Sequence, residues 1–499
     1  MQHVTNRRNV TMAMMVATFL AAIEVTVVST AMPTIVSDLG GIKLISWVYA
    51  AYLLTTTVTT PIYGKLADLF GRKIIFAIGT VLFLAGSMLS GLSHSMEQLI
   101  WFRAFQGIGA GAVLPITFTI IGDIYTFEER AKVQGLFSGI WGIAGILGPL
   151  VGGFFVDIIS WRWIFYFNVP FGLLSLFLIW IFLHENFEKK KKNIDYWGAI
   201  TFTIGATALL YALLSGGQDY AWNSVVIMGL FAVAAASLVL FVVIEAKSAD
   251  PMVPLKLFSI RVISISNLAA FLTSAVLIGL NAYLPMWVQG ILGYSATSSG
   301  LTLTPMSLSW TVGAIIGGRL MLKIGSRAVS LFGVGLILVA SLWLAVVGMN
   351  TPYWMFVAIM LIVGIGFGFS MTAFTVVIQS SVNWNLRGAA TASNSFVRTL
   401  GQMLGVVVFG TWFNSTISNY ISTHFHGSSY QSQDFNKLLN PEFAKKIPAD
   451  VLHTMREVLT AGLHGVYVIM GGIALLALIA TLWLPRQSAV EAEPVAESK

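Results

Sequence analysis

Fourteen apolar runs, each long enough to cross a bilayer as a helix, limit what this chain can fold into. About 20 consecutive apolar residues span the hydrocarbon core. The runs fall at approximately 11–32, 44–63, 74–92, 98–121, 132–156 and 163–184, then 196–215 and 223–245. The last six fall at approximately 263–289, 298–322, 328–347, 354–380, 388–413 and 465–485. In lipid the backbone must satisfy its own polar groups, which leaves helices or closed barrels. The runs are continuous and lack the alternation of lipid-facing strands, so a barrel fails. An all-α integral membrane protein is expected, and 57% hydrophobic against 10% charged residues agrees.

In a soluble chain a net charge of +7 would suggest a nucleic-acid partner. Here the basic residues sit in short loops between runs and report topology instead. With the N-terminus in the cytoplasm, the inside segments collect Arg7, Arg8, Lys65, Arg72, Lys73, Arg130, Lys132 and Lys189–Lys192. Lys247, Lys256, Arg261, Arg319, Lys323, Arg327, Arg387, Arg486 and Lys499 join them, whereas the short outside loops hold only Lys43 and Arg162. Both ends are therefore expected inside, and the even number of runs agrees. The chain has no cysteine, which excludes disulfide and thiolate chemistry. The first run is full-length and lacks a convincing cleavage site, so it is expected to stay in the mature protein.

The runs group as six, two and six. The expected division is an N-terminal six-helix bundle over 1–188, a linker with an inserted helix pair over 189–258, a C-terminal six-helix bundle over 259–486, and a cytoplasmic tail over 487–499. Pro251 and Pro254 mark the second linker. Two related halves around a midplane site are a common transporter plan, and the inserted pair would sit at a lipid-facing edge. One outside loop is long, 414–464. Its stretch His424–Asn436 is polar and expected to be mobile. Pro448 then starts a helical pattern with Val451, Leu452, Met455, Val458 and Leu459 on one face. That pattern predicts a small helix ending at Gly462 and lying on the extracellular mouth, with a gate or partner-binding element as the sharper reading.

Within the first run, which ends at Pro33, stands one acid, Glu24. A carboxylate at mid-membrane costs several kcal/mol unless it is paired, protonated or facing water. It points to binding or proton handling, against the plainer reading of a hydrogen bond between helices. Arg103 in the fourth run lies at a depth that differs by only a few ångströms at about 1.5 Å per residue. A buried arginine needs a partner, for which Glu24, Gln106 and backbone carbonyls are candidates. An arginine that approaches Glu24 in only one conformation would change the hold of that carboxylate on a proton, which is a coupling device.

The loop after the second run reads Gly64-Lys-Leu-Ala-Asp68-Leu-Phe-Gly71-Arg72-Lys73. Glycines at both ends suit a tight turn. Asp68, Arg72 and Lys73 can pair with neighbouring helix ends and latch the inner face; mere positive-inside anchoring is the alternative. In the fifth run, Gly145, Gly148, Gly152 and Gly153 clear one helix face and Pro149 weakens the ladder beside it. That combination reads as a hinge on a close helix seam, or as ordinary close packing.

The loop Gly64–Lys73 resembles a signature of the major facilitator superfamily. Leu99-Ile-Trp-Phe-Arg103-Ala-Phe-Gln106-Gly107-Ile-Gly109-Ala-Gly111 resembles a second signature. Gly142-Ile-Ala-Gly145-Ile-Leu-Gly148-Pro149-Leu-Val-Gly152-Gly153 resembles the antiporter signature. Glu24 to Pro33 and Trp161-Arg162-Trp163-Ile-Phe-Tyr-Phe-Asn168-Val-Pro170 resemble the fourteen-helix drug:proton antiporters, which more often carry aspartate at the first of these positions. With five motifs in order, the resemblance covers nearly the whole chain. It implies a major facilitator fold of two pseudo-symmetric six-helix bundles plus an inserted pair. It also implies a multi-pass protein of the plasma membrane of a bacterial cell, acting as a monomer.

The second half is less marked. Gly317-Gly-Arg319-Leu-Met-Leu-Lys-Ile-Gly325-Ser-Arg327 echoes the latch loop without its acid. Arg387 to Gln402, which contains the pocket candidates Asn394 and Arg398, resembles the family's penultimate helices. No acid occurs between Asp250 and Asp434, so the membrane acids must come from the first half. Asp123 and Asp157 are there too, near run ends, the first read as latch or scaffold and the second as a mouth residue; both are candidate proton sites after Glu24. Uncharged pocket candidates in the second half are Asn281, Tyr283, Gln289 and Trp310, with Phe374, Gln379 and Asn394 further on.

The implied activity is export of amphipathic, often cationic, small molecules in exchange for protons. A dedicated exporter of one metabolite, peptide or lipid would use the same motifs. A membrane enzyme is the alternative from another class. Against it, the chain has no Gly-x-x-x-x-Gly-Lys-Ser/Thr nucleotide loop, and its histidines lie near run ends or in loops rather than in a metal-holding cluster. No metal, cofactor or nucleic acid is expected; the partners are substrate, protons and the lipid bilayer.

Overall fold

The computed structural model describes residues 6–125, 127–185, 195–217, 219–248, 251, 253–382, 386–424 and 436–485, leaving aside some side chains, that of Asp68 included. Fourteen long helices stand among the described residues. In the first half of the chain they are α1 (Arg7–Leu39), α2 (Ile45–Phe70), α3 (Arg72–Gly91), α4 (Met96–Ile124) and α5 (Phe127–Phe154). Next come α6 (Trp163–Phe182), α7 (Tyr196–Ser215) and α8 (Val225–Lys247). The rest are α9 (Arg261–Met286), α10 (Ala296–Ile324), α11 (Ser326–Leu344), α12 (Tyr353–Ser380), α13 (Arg387–His424) and α14 (Ala449–Leu482). Twelve of them are long and apolar enough to cross a membrane. The other two, α2 with 26 residues and α10 with 29, stand where the sequence places spans 2 and 10.

Three expected boundaries move. The first run does not end at Pro33: α1 continues through it to Leu39. A membrane helix tolerates proline because neighbouring groups satisfy the carbonyl it frees. Gly64 is not part of a turn but lies inside α2; the chain turns at Gly71 alone, with φ +94°, a value open to glycine and unfavourable for other residues. Gly462 does not stop a small helix, because α14 runs unbroken from Ala449 to Leu482. A Cβ on Gly462 would stand 3.1 Å from the Phe413 ring, so this glycine makes room for an aromatic side chain. The expected mobile stretch lies largely outside the described residues; Asn436 at its end is buried and its Oδ1 accepts from the Ile42 N–H at 3.0 Å.

The chain forms two compact units. The first is Met1–Met252 with Tyr294–Gly300 and Gln431–Pro441; the second is Val253–Gly293 with Leu301–Tyr430 and Glu442–Lys499. In the first, α4 packs on α2 and α3, α1 packs on α5 and α6, and α7 pairs with α8. The α7–α8 pair meets α2, where the Trp47 and Tyr211 rings are 5.8 Å apart. Only 17% of the apolar window of α8 is buried, so this helix turns most of its valine and leucine outward, as contact with lipid requires. In the second unit, α9 packs on α13 and α14, and α11 on α12 and α14.

Candidate functional site

Glu24 of α1 is 2% exposed, and so is Arg103 of α4. Arg103 Nη1 donates to Glu24 Oε1 and to Gln106 Oε1, the latter at 2.7 Å. Gln106 Nε2 donates to Glu24 Oε1 at 3.1 Å, and Asn168 Nδ2 to Glu24 Oε2 at 2.6 Å. Asn168 also reaches Ser87 Oγ at 2.9 Å, and Ser87 Oγ donates to the Phe165 carbonyl at 2.8 Å. The Arg103 guanidinium carbon lies 4.1 Å from the centroid of the Tyr52 ring. A buried ion is tolerable only when its partner and hydrogen bonds offset several kcal/mol of lost hydration. Here both carboxylate oxygens are held, and the charges cancel.

The helices place these groups by simple spacing. Arg103 and Gln106 are three residues apart and so share a face of α4. Gly86 of α3 backs onto α4 so closely that a Cβ there would stand 2.6 Å from the Gln106 N. On the opposite flank, a Cβ on Gly107 would stand 2.5 Å from the Tyr52 carbonyl. Across that α2–α4 seam, Thr56 Oγ1 donates to the Gly107 carbonyl at 3.2 Å and Thr59 Oγ1 to the Ile108 carbonyl at 3.3 Å.

Arg103 thus meets Glu24 and Gln106, two of the candidate partners that the sequence offers it. Asp123 and Asp157 do not join them. Asp123, exposed at the end of α4, pairs with Arg72 Nε at 2.6 Å. Asp157 follows α5 in a wide helical turn and accepts from the Thr297 N–H at 2.9 Å and the Ala296 N–H at 3.2 Å, capping the first turn of α10. Asn168, Ser87 and Tyr52 were not legible as site residues. Asn168 stands in a quoted motif, but nothing in the motif says that its side chain turns to Glu24.

A second cluster ties the start of α3 to the end of α6. Glu185 accepts from the backbone N–H groups of Arg72 at 2.9 Å and Lys73 at 3.1 Å, which suits a carboxylate at a helix N-terminus. Its Oε1 lies 3.6 Å from Arg72 Nη1. Lys73 Nζ donates to the carbonyls of Trp180 at 2.8 Å and Leu183 at 2.9 Å. Glu185 was not anticipated, since it lies over a hundred residues from the motif it caps. Partly exposed pairs are worth about 0.2–1 kcal/mol each. Glu185→Gln is therefore expected to change the efflux rate of a fluorescent dye by about two- to fivefold, with membrane insertion and yield near wild type. Efflux equal to wild type would reduce the cluster to an anchor.

The glycine seam of α5 faces α1. A Cβ on Gly148 would collide with the Thr26 side chain, and one on Gly152 would stand 3.2 Å from Val27 Cα. Gly145 is buried as well, Pro149 lies inside α5, and Gly153 backs onto Thr297.

The second-half candidates do not converge. Tyr283 is buried against the rings of Phe409 and Phe413, at 6.3 and 5.6 Å between centroids, and belongs to a packed core. Trp310 stacks on Phe367 at 5.1 Å. Phe374 packs with Ala269, Ala270 and Val334. Gln379 Nε2 donates to Thr391 Oγ1 at 3.1 Å, and Asn394 Nδ2 to Asn267 Oδ1 at 2.8 Å. Asn281 and Gln289 are buried in and just beyond α9. Arg398 stands on α13, eleven residues in from its start.

Long apolar helices in two compact units, one holding a buried ion pair whose carboxylate is hydrogen-bonded at both oxygens, define a polytopic membrane protein of the secondary-transporter class. The family model for the Major Facilitator Superfamily matches residues 14–406. The chain is 36% identical over 478 residues to "Multidrug transporter protein MdtP" of Bacillus subtilis (strain 168), covering 91% of this chain and 88% of that one. It is 39% identical over 418 residues to "Multidrug resistance protein 3" of the same organism, covering 84% and 82%. Among solved structures, a bacterial homolog to the human lysosomal transporter Spinster, inward-facing and unoccupied, superposes with a TM-score of 0.68 at 16% identity, covering 96% of this chain and 97% of that one. A D-xylose-proton symporter superposes with a TM-score of 0.64 at 15% identity, covering 96% and 98%. At such identities these two structures speak to the fold alone. The chain belongs to the Major Facilitator Superfamily, a family of transporters.

Proposed function

We propose that this protein is a proton-coupled exporter of amphipathic, often cationic, compounds, working by alternating access with Glu24 as its principal proton site. The observation that carries the reading is the buried Glu24–Arg103 pair with Gln106 and Asn168 around it. A proton arriving on Glu24 removes the charge that holds Arg103, and the guanidinium is left with Gln106 and must find a further acceptor, such as a carbonyl. A cationic substrate competes for the same carboxylate. Proton and substrate thereby exclude each other at one oxygen pair, which is what exchange transport needs. The names of the two Bacillus subtilis relatives favour drug-like substrates over a single dedicated cargo.

The test is efflux of a fluorescent cationic dye from cells that make the protein. Efflux is expected to collapse on adding a protonophore and to persist when ATP is depleted but a proton gradient is imposed. Efflux that follows ATP instead would exclude the mechanism.

Both termini are proposed to lie in the cytoplasm of a bacterial cell, with the 414–464 segment outside. Lys190→Cys is expected to react with an impermeant maleimide only from the inside and Tyr430→Cys only from the outside. The absence of native cysteine keeps that readout clean. Both positions reacting from the same side would sink the topology.

A further inference from the structure

The second unit carries a charge that the proposed exchange does not use. Arg398 lies eleven residues into α13, at about 1.5 Å per residue roughly 16 Å along the helix. Its Nε is buried without a hydrogen-bond partner, and among the described residues no carboxylate faces it. None is close in sequence either, because no Asp or Glu occurs between Asp250 and Asp434. An unpaired guanidinium inside a membrane protein is expensive, and residues of this kind mark ligand pathways.

Its surroundings point to one kind of ligand. Asn394, Arg398, Gly401 and Gly405 follow the i, i+4, i+7, i+11 spacing of a single helix face. That face meets α9. Asn394 bonds Asn267 at 2.8 Å, a Cβ on Gly401 would stand 3.0 Å from Phe271 Cα, and one on Gly405 would stand 2.8 Å from Ala275 Cα. Arg398 therefore lies level with the stretch of α9 between Asn267 and Ala275. In that stretch Asn267 Nδ2 and Ser274 Oγ are also buried with no hydrogen-bond partner. Guanidinium and amide N–H groups only donate, and a hydroxyl can donate. An unanswered positive charge level with an unbonded amide donor matches an acceptor-only anion.

We propose that Arg398, with Asn267, forms a subsite for the carboxylate of an acidic amphipathic substrate. The proposal rests on the export reading and widens it beyond cations. An inorganic anion such as chloride shares the chemistry, so the experiment separates the two.

Purified full-length protein is titrated, by fluorescence polarisation, with tetramethylrhodamine bearing a free carboxylate and with its methyl ester. A charge-assisted hydrogen-bond pair lost on substitution is expected to weaken binding of the acid by about tenfold or more in Arg398→Gln, with the ester within about twofold of wild type. Arg398→Lys should keep part of the affinity for the acid, since it keeps the charge but not the fork. Ester binding also reports that each variant is folded. Equal loss for both dyes, or unchanged affinity for the acid, overturns the subsite. So does a result in which chloride, replacing gluconate, raises the melting temperature of wild type but not of Arg398→Gln while both dyes bind alike; the arginine then holds an inorganic anion. Wild-type protein that binds the ester but not the acid overturns the subsite alone. Wild-type protein that binds neither overturns the export reading together with it.

Discussion

Glu24→Gln is expected to stop proton-driven efflux and to weaken binding of cationic substrates, while neutral substrates still bind. Glutamine nearly preserves the shape of the side chain, and its carbonyl can still accept from Asn168 Nδ2, which now lies 2.6 Å from Glu24 Oε2. What it removes is the charge facing Arg103, which is itself only 2% exposed. Breaking a buried pair by removing one partner costs about 3–5 kcal/mol, most of it from the ion left behind. The variant is therefore fixed in the state that a loaded proton produces, and it cannot unload. Substrate-induced proton release from purified protein in detergent should fall to background alongside dye efflux. Glu24→Asp keeps the charge on a shorter reach and should retain part of both. Undiminished proton release from Glu24→Gln would place the proton elsewhere, with Asp123 and Asp157 the next residues to substitute.

Gly148→Leu is expected to cut efflux to about a tenth or less, because overpacking of a tight seam costs about 1–3 kcal/mol and can exceed it. The first added carbon already collides with Thr26, and the next nearest residue is Ile23, with its Cγ1 at 3.3 Å. Ile23 is the residue before Glu24, so a leucine wedged between α5 and α1 displaces the carboxylate as well as the seam. Gly139→Leu on the same helix is the control. A Cβ there meets nothing within 4 Å, and efflux should stay near wild type. A fully active Gly148→Leu variant would mean that the seam opens without cost.

The helices were legible because their signal is one-dimensional. Twenty apolar residues in a row admit a spanning helix and little else. Their ends were less legible, for a physical reason. Proline at position 33 and glycines at 64 and 462 read as punctuation in water, whereas here all three lie inside continuous helices. The site divides the same way. Glu24 and Arg103 announce themselves because isolated charges in apolar runs are costly. Asn168, Ser87 and Tyr52 are uncharged, and their roles depend on which faces of α6, α3 and α2 meet, a tertiary fact that spacing alone does not carry. Glu185 escapes for a further reason. It caps a helix more than a hundred residues upstream, so no local window contains both partners.

The threonine seam between α2 and α4 has a mechanical consequence. Hydroxyls of Thr56 and Thr59 on α2 bond carbonyls at Gly107 and Ile108 on α4, and Gly107 and Gly111 leave no slack between the two backbones. The two helices form one stiff bar. Arg103 is fixed to that bar through its own helix and through the ring of Tyr52, and the far end of α2 is the turn at Gly71 where Arg72 begins α3. A displacement of Arg103 is thus expected to move the Arg72–Asp123–Glu185 cluster through the stretch of α2 from Tyr52 to Phe70, without any side chain having to relay it.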